Sequence, residues 1–181
     1  GARGNSGVIL SQLYRGFSKA LLDKQAVNPG EFAAALRAGA DTAYKAVMKP
    51  KEGTILTVAR VIADDAVKQA AMAPDDFPAL FEVILRSGES ILKRTQEMLP
   101  ALTQAGVVDA GGRGLLLIYT GYAAVVKGEQ VNDLAVDMSG DSAKEQEFVD
   151  DHDLLGDIHF AYCTEFLIQE LKPGVSDADI A

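Results

Sequence analysis

Apolar residues recur every three to four positions through most of residues 6–127, and no stretch there sustains period-two alternation. This pattern lays one core-facing stripe along each of several successive helices. The first helix is expected from about Ser6 to Asp23, with Ile9, Leu13, Phe17 and Ala20 on one face. Asn28-Pro29-Gly30 breaks the chain, and a second helix carries Phe32, Leu36, Ala40, Ala43 and Val47. Pro50 ends it, because proline lacks an N–H and restricts the residue before it. A third helix begins near Thr54 with Ile55, Val58, Ile62 and Ala66. After Ala73-Pro74-Asp75-Asp76, a fourth uses Phe77, Phe81, Leu85 and either Ile91 or Leu92. Pro100 and Gly106 interrupt before a fifth, from about Gly112 to Lys127, with Leu115, Ile118, Tyr122 and Val125 or Val126; Gly128 stops it. Helices joined by such short breaks favour antiparallel neighbours, so the expected fold is all-α, an up-and-down helical bundle or barrel.

The net charge of −9 is local. Residues 129–157 hold ten acidic side chains against Lys144, and the remainder of the chain sums to zero. That stretch reads as an acidic linker with sparse apolar spots at Leu134 and Val136. From Ile158 the run His159-Phe160-Ala161-Tyr162-Cys163-Thr164-Glu165-Phe166-Leu167-Ile168 has the texture of a strand, the expected first element of an α/β domain. The expected divisions are therefore 1–128, 129–157 and 158–181. No basic stripe exists to neutralise a nucleic-acid backbone, and no apolar run has a membrane span's length. One cysteine, Cys163, excludes an internal disulfide framework and suits a reducing cytoplasm. His152 and His159 have no partner at metal or nucleophile spacing. The opening Gly1-Ala2-Arg3-Gly4 has no starting Met and reads as a piece of a longer protein.

Three of the breaks share one chemistry. Gly1-Ala2-Arg3-Gly4-Asn5-Ser6-Gly7 runs into the first helix, Lys51-Glu52-Gly53-Thr54 into the third, and Asp109-Ala110-Gly111-Gly112-Arg113-Gly114 into the fifth. Each sets glycine and a small polar side chain at a helix N-terminus, where unpaired N–H groups and the helix dipole favour an anion. Each also has a plain reading as a turn with a capping residue: Asn5 or Ser6, Thr54, and Asp109. If helices alternate up and down, these three starts share one end, gathering Asn5, Ser6, Thr54 and Arg113 into a phosphate cradle. The breaks at 28–30 and 73–76 belong to the other end. Asp64-Asp65 and Asp75-Asp76 read as solvated surface away from the cradle, and no carboxylate cluster suited to magnesium is present.

Four ordered blocks carry a family resemblance. They are Gly1-Ala2-Arg3-Gly4-Asn5-Ser6-Gly7-Val8-Ile9-Leu10-Ser11-Gln12; Ala43-Tyr44-Lys45-Ala46-Val47 with Glu52-Gly53-Thr54-Ile55-Leu56-Thr57-Val58; Ala105-Gly106-Val107-Val108-Asp109-Ala110-Gly111-Gly112; and Tyr162-Cys163-Thr164-Glu165-Phe166. The chain resembles the helical kinase domain shared by dihydroxyacetone kinases, in the version found in the kinase subunit of bacterial fatty acid kinases. The resemblance implies an eight-helix barrel binding ATP and Mg²⁺ at one end. It implies phosphorylation of a fatty acid held by a separate carrier protein, giving an acyl phosphate for phospholipid synthesis. Carried over by position, Asn5, Ser6 and Gly7 would meet the nucleotide phosphates. Thr54 and Ile55 would form the phosphate- and base-side wall, and Asp109, Ala110 and Gly111 the adenosine pocket. Cys163 would match a zinc-linked cysteine of the middle domain, and later domains would support a homodimer. The family's magnesium loop, of the form Asp-Gly-Asp-Thr-Gly, has no counterpart in these residues. It belongs to helices expected before Gly1, so the chain alone is expected to leave apolar interior uncovered and to be inactive. Two other readings stand beside this one: a dihydroxyacetone kinase subunit, and a non-catalytic helical module that binds a nucleotide or a partner.

Overall fold

A computed structural model describes Ala2 and residues 4–129. The expected strand and Cys163, together with all but the first residue of the acidic linker, lie outside the described residues.

Within them the chain forms six helices: α1 (Asn5–Ala20), α2 (Pro29–Ala46), α3 (Ile55–Met72), α4 (Phe77–Met98), α5 (Pro100–Ala105) and α6 (Ala110–Val126). No strand occurs among these residues, in keeping with the all-α expectation. The short α5 was not anticipated. Pro100 is tolerated in its first turn, where an N–H would have no partner, and left-handed Gly106 ends it. The sequence therefore showed two helix-breaking residues that in fact bound one short helix.

Consecutive helices pack side by side, α1 on α2, α2 on α3 and α3 on α4, and α6 lies against α4 and α3. The α1–α2 crossing is a backbone contact. A Cβ added to Gly39 would stand 2.6 Å from the Leu13 carbonyl oxygen, and one on Gly16 would stand 2.7 Å from the Gly39 Cα. Only residues without side chains permit this approach. The α3 stripe forms the centre: Ile55, Val58, Ile62 and Ala66 are buried, with Leu80, Phe81, Ile84, Ile91 and Leu92 of α4 beside them. Burial of each large aliphatic side chain contributes ~2 kcal/mol.

Two stripes differ from expectation. α1 ends at Ala20, before Asp23, and Ala20, the last residue of the expected face, is exposed. On α6 the buried residues are Gly112, Leu115, Leu116, Tyr119, Ala123 and Ala124, while Tyr122, Val125 and Val126 are exposed. The expected stripe through Ile118 and Tyr122 is thus rotated. Two neighbours decide the angle, because α6 fits into the groove between α3 and α4 through Gly112 and Leu116.

The ends of the bundle differ. Phe32 near the start of α2 makes edge-on contact with Phe17 of α1 and with Phe77 of α4, at ring separations of 5.4 and 6.0 Å. It also meets Phe81 at 5.4 Å. These rings place the starts of α2 and α4 together and close that end with apolar surface.

Candidate functional site

The starts of α1, α3 and α6 meet at the opposite end. They border an open cleft of about 490 Å³, lined by Asn5, Ser6, Val8, Ile9, Ala46, Val47, Lys49, Lys51, Thr54, Ile55, Leu56 and Asp109. The alternation of helices thus brings Asn5, Ser6, Thr54, Ile55 and Asp109 to one wall. Gly111 supports it from behind, since an added Cβ would lie 3.3 Å from Ile55 Cβ. Gly7 in the first turn of α1, Ala110 and Arg113 are not part of the lining. Gly1 and Arg3 lie outside the described residues.

The three starts are built differently. At α1 the cap is Gly4, which offers no side chain; no side-chain hydrogen bond closes the turn, and no acidic residue stands in it. Asn5 and Ser6 therefore sit inside the first turn and do not cap it, contrary to their plain reading. At α3, Thr54 does cap: its hydroxyl accepts from the Leu56 amide at 3.4 Å and donates to the Lys51 carbonyl at 2.9 Å. At α6, Asp109 accepts from the Gly112 amide at 2.7 Å, so its carboxylate is turned onto its own helix. Neither α3 nor α6 has an acidic residue in its first turn.

Periodicity did not single out the two lysines. Lys49 and Lys51 come from the link between α2 and α3 and line the cleft, where Asp109 is the one acidic residue among the described lining. Their signal was a basic pair flanking Pro50, beside the glycine motif.

Behind the second loop lies a side-chain network. Glu52 accepts from Tyr44 Oη at 3.0 Å, Thr57 Oγ1 at 2.8 Å and Arg60 Nη2 at 2.9 Å. Arg60 Nε also donates to Tyr44 Oη at 3.2 Å. Partial burial works to raise the Glu52 pKa, but these hydrogen bonds and the Arg60 charge outweigh it and hold the carboxyl below its ordinary value. The Arg60 guanidinium is raised in turn by its bonds to Tyr44 and Glu52. Gly53, at φ 85, makes the turn; a Cβ there would also meet Met98 Cβ at 2.7 Å. Left-handed backbone and close packing together require glycine.

The acidic pairs elsewhere are occupied. Asp64 pairs with Arg37, Asp65 with Lys68 at 2.9 Å, and Asp76 caps α4. Asp64 and Asp65 are ion-paired on the surface and lie outside the cleft lining. Among the described residues no group of three His, Cys, Asp or Glu side chains could hold a metal ion. Asp109 alone does not fit the carboxylate set a protein-held Mg²⁺ needs. One uncapped helix start, Asn5, Ser6 and two lysines are the kinds of group that meet an anion. A separate pocket of about 20 Å³ beside Leu13, Tyr14, Phe17, Leu115, Tyr119 and Tyr122 has room for about one water. Burial pushes the Tyr14 and Tyr119 phenols well above their ordinary value, so neither is a ready proton acceptor. Among the described residues no helix is long and apolar enough to cross a membrane.

Residues 1–124 match the family described as the DAK2 domain. The chain is 50% identical over 175 residues to protein YloV of Bacillus subtilis, a match covering 93% of this chain and 31% of that protein. It is 47% identical over 174 residues to an uncharacterized protein of Staphylococcus saprophyticus, with the same 93% and 31% coverage. An uncharacterized protein of Staphylococcus aureus is 45% identical over 175 residues. The chain thus spans about a third of the length of these relatives. The family match and the helical architecture agree: the chain belongs to the DAK2 domain family, the module type of the dihydroxyacetone kinase L subunit.

Proposed function

We propose that the cleft end of this domain binds the phosphates of ATP, and that the full-length protein transfers a phosphoryl group to a fatty acid presented by a separate carrier protein. The observation that carries the nucleotide reading is the convergence of three helix starts and two lysines on one cleft. Asn5, Ser6 and the first-turn amides of α1, with Gly7 among them, face the phosphates. Lys49 and Lys51 offset their charge. Thr54, Ile55, Asp109, Ala110 and Gly111 border the nucleoside side. Such an arrangement works by positioning and electrostatics, which is the main protein contribution to phosphoryl transfer. Mg²⁺ would require carboxylates from outside the described residues, so no step is assigned to it. In this reading residues 1–128 form the kinase domain, 129–157 a spacer and 158–181 the start of a middle domain with Cys163 as a zinc ligand. Later domains would hold a homodimer, and the protein works in the cytoplasm.

The choice of acceptor rests on the Tyr162-Cys163-Thr164-Glu165-Phe166 block and the acidic linker, which favour the fatty acid kinase version over the dihydroxyacetone kinase version. The test supplies full-length protein with Mg-ATP and either a fatty acid with its carrier or dihydroxyacetone. Acyl phosphate formed only with the carrier supports the proposal. Turnover of dihydroxyacetone overturns the acceptor while leaving the nucleotide site standing. Nucleotide binding without turnover on either acceptor would make the protein a non-catalytic binder.

A further inference from the structure

Two polar side chains are buried in the described core, Thr57 at 1% exposure and Thr95 at 0%. They lie on different helices, yet each hydroxyl does the same thing. Thr57 Oγ1 accepts from the Gly53 amide at 2.8 Å and donates to Glu52 Oε2 at 2.8 Å. Thr95 Oγ1 accepts from the Asp109 amide at 3.0 Å and donates to the Leu92 carbonyl at 2.6 Å. Each therefore uses its lone pair on the backbone of one cleft loop. Thr42 and Thr120 behave differently, returning their hydroxyls only to Ala38 and Leu116 of their own helices. That is the ordinary habit of a threonine inside a helix. Neither Thr57 nor Thr95 lies on the cleft wall, but Thr54 and Asp109, beside or at the anchored amides, do.

We propose that Thr57 and Thr95 are positioning residues for the cleft: Thr57 fixes the loop that supplies Lys51 and Thr54, and Thr95 fixes the loop that supplies Asp109. The inference rests on the phosphate reading of the cleft. An amide out of water that loses its acceptor is costly, fully so at buried Gly53 and in part at half-buried Asp109, so each loop is held where its threonine stands. Tyr44 and Arg60 fix the Glu52 carboxylate and so support the Thr57 anchor from the outer side.

The test uses the full-length protein with Thr57→Val and Thr95→Val, which keep the shape and remove the hydroxyl, and the matching Thr→Ser variants, which restore it. Amide exchange without nucleotide is read on peptides covering 51–54 and 107–110, and ADP affinity is read separately. Each Val variant is expected to speed exchange in its own loop alone and to weaken ADP binding about five- to tenfold, with Ser returning both toward wild type. Loop-specific exchange separates positioning from general loosening, which would speed exchange in both loops together. Should the Thr57→Val protein not fold, Glu52→Ala removes the Thr57 acceptor from the outer side and is expected to speed exchange in 51–54. ADP affinity within about twofold of wild type in the Val variants, or exchange that does not respond in the anchored loop, overturns the proposal. Wild-type protein that binds no ADP defeats the phosphate reading and the positioning role with it. The nucleotide-free exchange then still decides whether the threonines hold the loops.

Discussion

The helix starts at the two ends of this bundle are capped unequally: both starts at the closed end carry a side-chain cap, and at the cleft end Thr54 caps α3 and Asp109 caps α6 while α1 has none. At the closed end, α2 begins with a full capping box: Asn28 accepts from the Glu31 amide at 2.8 Å, and Glu31 accepts from the Asn28 amide at 3.1 Å. α4 begins with Asp76 accepting from the Ala79 amide at 2.8 Å. A protein side chain already takes one first-turn N–H of each helix there, and the Phe17, Phe32, Phe77 and Phe81 rings pack together at that end. At the cleft end, α1 has a glycine cap with no side-chain bond, and the wall beside it carries two lysines. A helix start is available to an external anion only where the chain has not filled it with an anion of its own. By that criterion the α1 start is the one left open, and the proposed site is built around it.

Substitutions should separate these roles. The largest effect is expected at Phe81→Ala, which empties a buried ring site and should cost ~3–5 kcal/mol, read as a lowered denaturation midpoint. ADP affinity of the folded fraction should stay at wild type. Gly39→Ala forces a methyl into the α1–α2 crossing and should cost ~1–3 kcal/mol by the same measurement. The double variant Lys49→Gln with Lys51→Gln should reverse that signature. It should weaken ADP binding about tenfold, a loss that shrinks as salt rises, with little change in the denaturation midpoint. Asn28→Ala should cost ~1 kcal/mol and leave nucleotide binding alone. Lys49 and Lys51 variants that unfold the protein, or a Phe81 variant that abolishes ADP binding in the folded fraction, would erase the distinction.

The smallest effect concerns pH. The Glu52 carboxyl is depressed below its reference value of 4.5. Its contribution to stability is present above the unfolded value and lost as pH falls through the lower folded value. The midpoint difference between wild type and Glu52→Gln should thus be constant from about pH 7 to about pH 5 and shrink progressively as pH falls below the reference value. A difference that grows in acid would contradict the network's sign.

The α3 stripe was legible in the sequence because one helix surrounded by neighbours buries every position its periodicity marks, from Ile55 to Ala66. The α6 face was not, because its orientation depends on Gly112 and Leu116 meeting α3 and α4, which local spacing does not encode. The common end of α1, α3 and α6 was legible from helix parity and the glycine pattern. Three features depended on tertiary structure: the lysines on the cleft, the Tyr44–Glu52–Arg60 network and the two buried threonines. Thr57 and Thr95 look in sequence like any polar residue on a helix, and only burial beside a loop amide distinguishes them.

The most direct test of the cleft assignment is amide exchange on the full-length protein with and without ADP. The account predicts protection concentrated in residues 5–8, 51–56 and 109–112, with the starts of α2 and α4 at 28–32 and 76–80 unchanged. Protection at the α2 and α4 starts instead, or none at the cleft under saturating ADP, would contradict it.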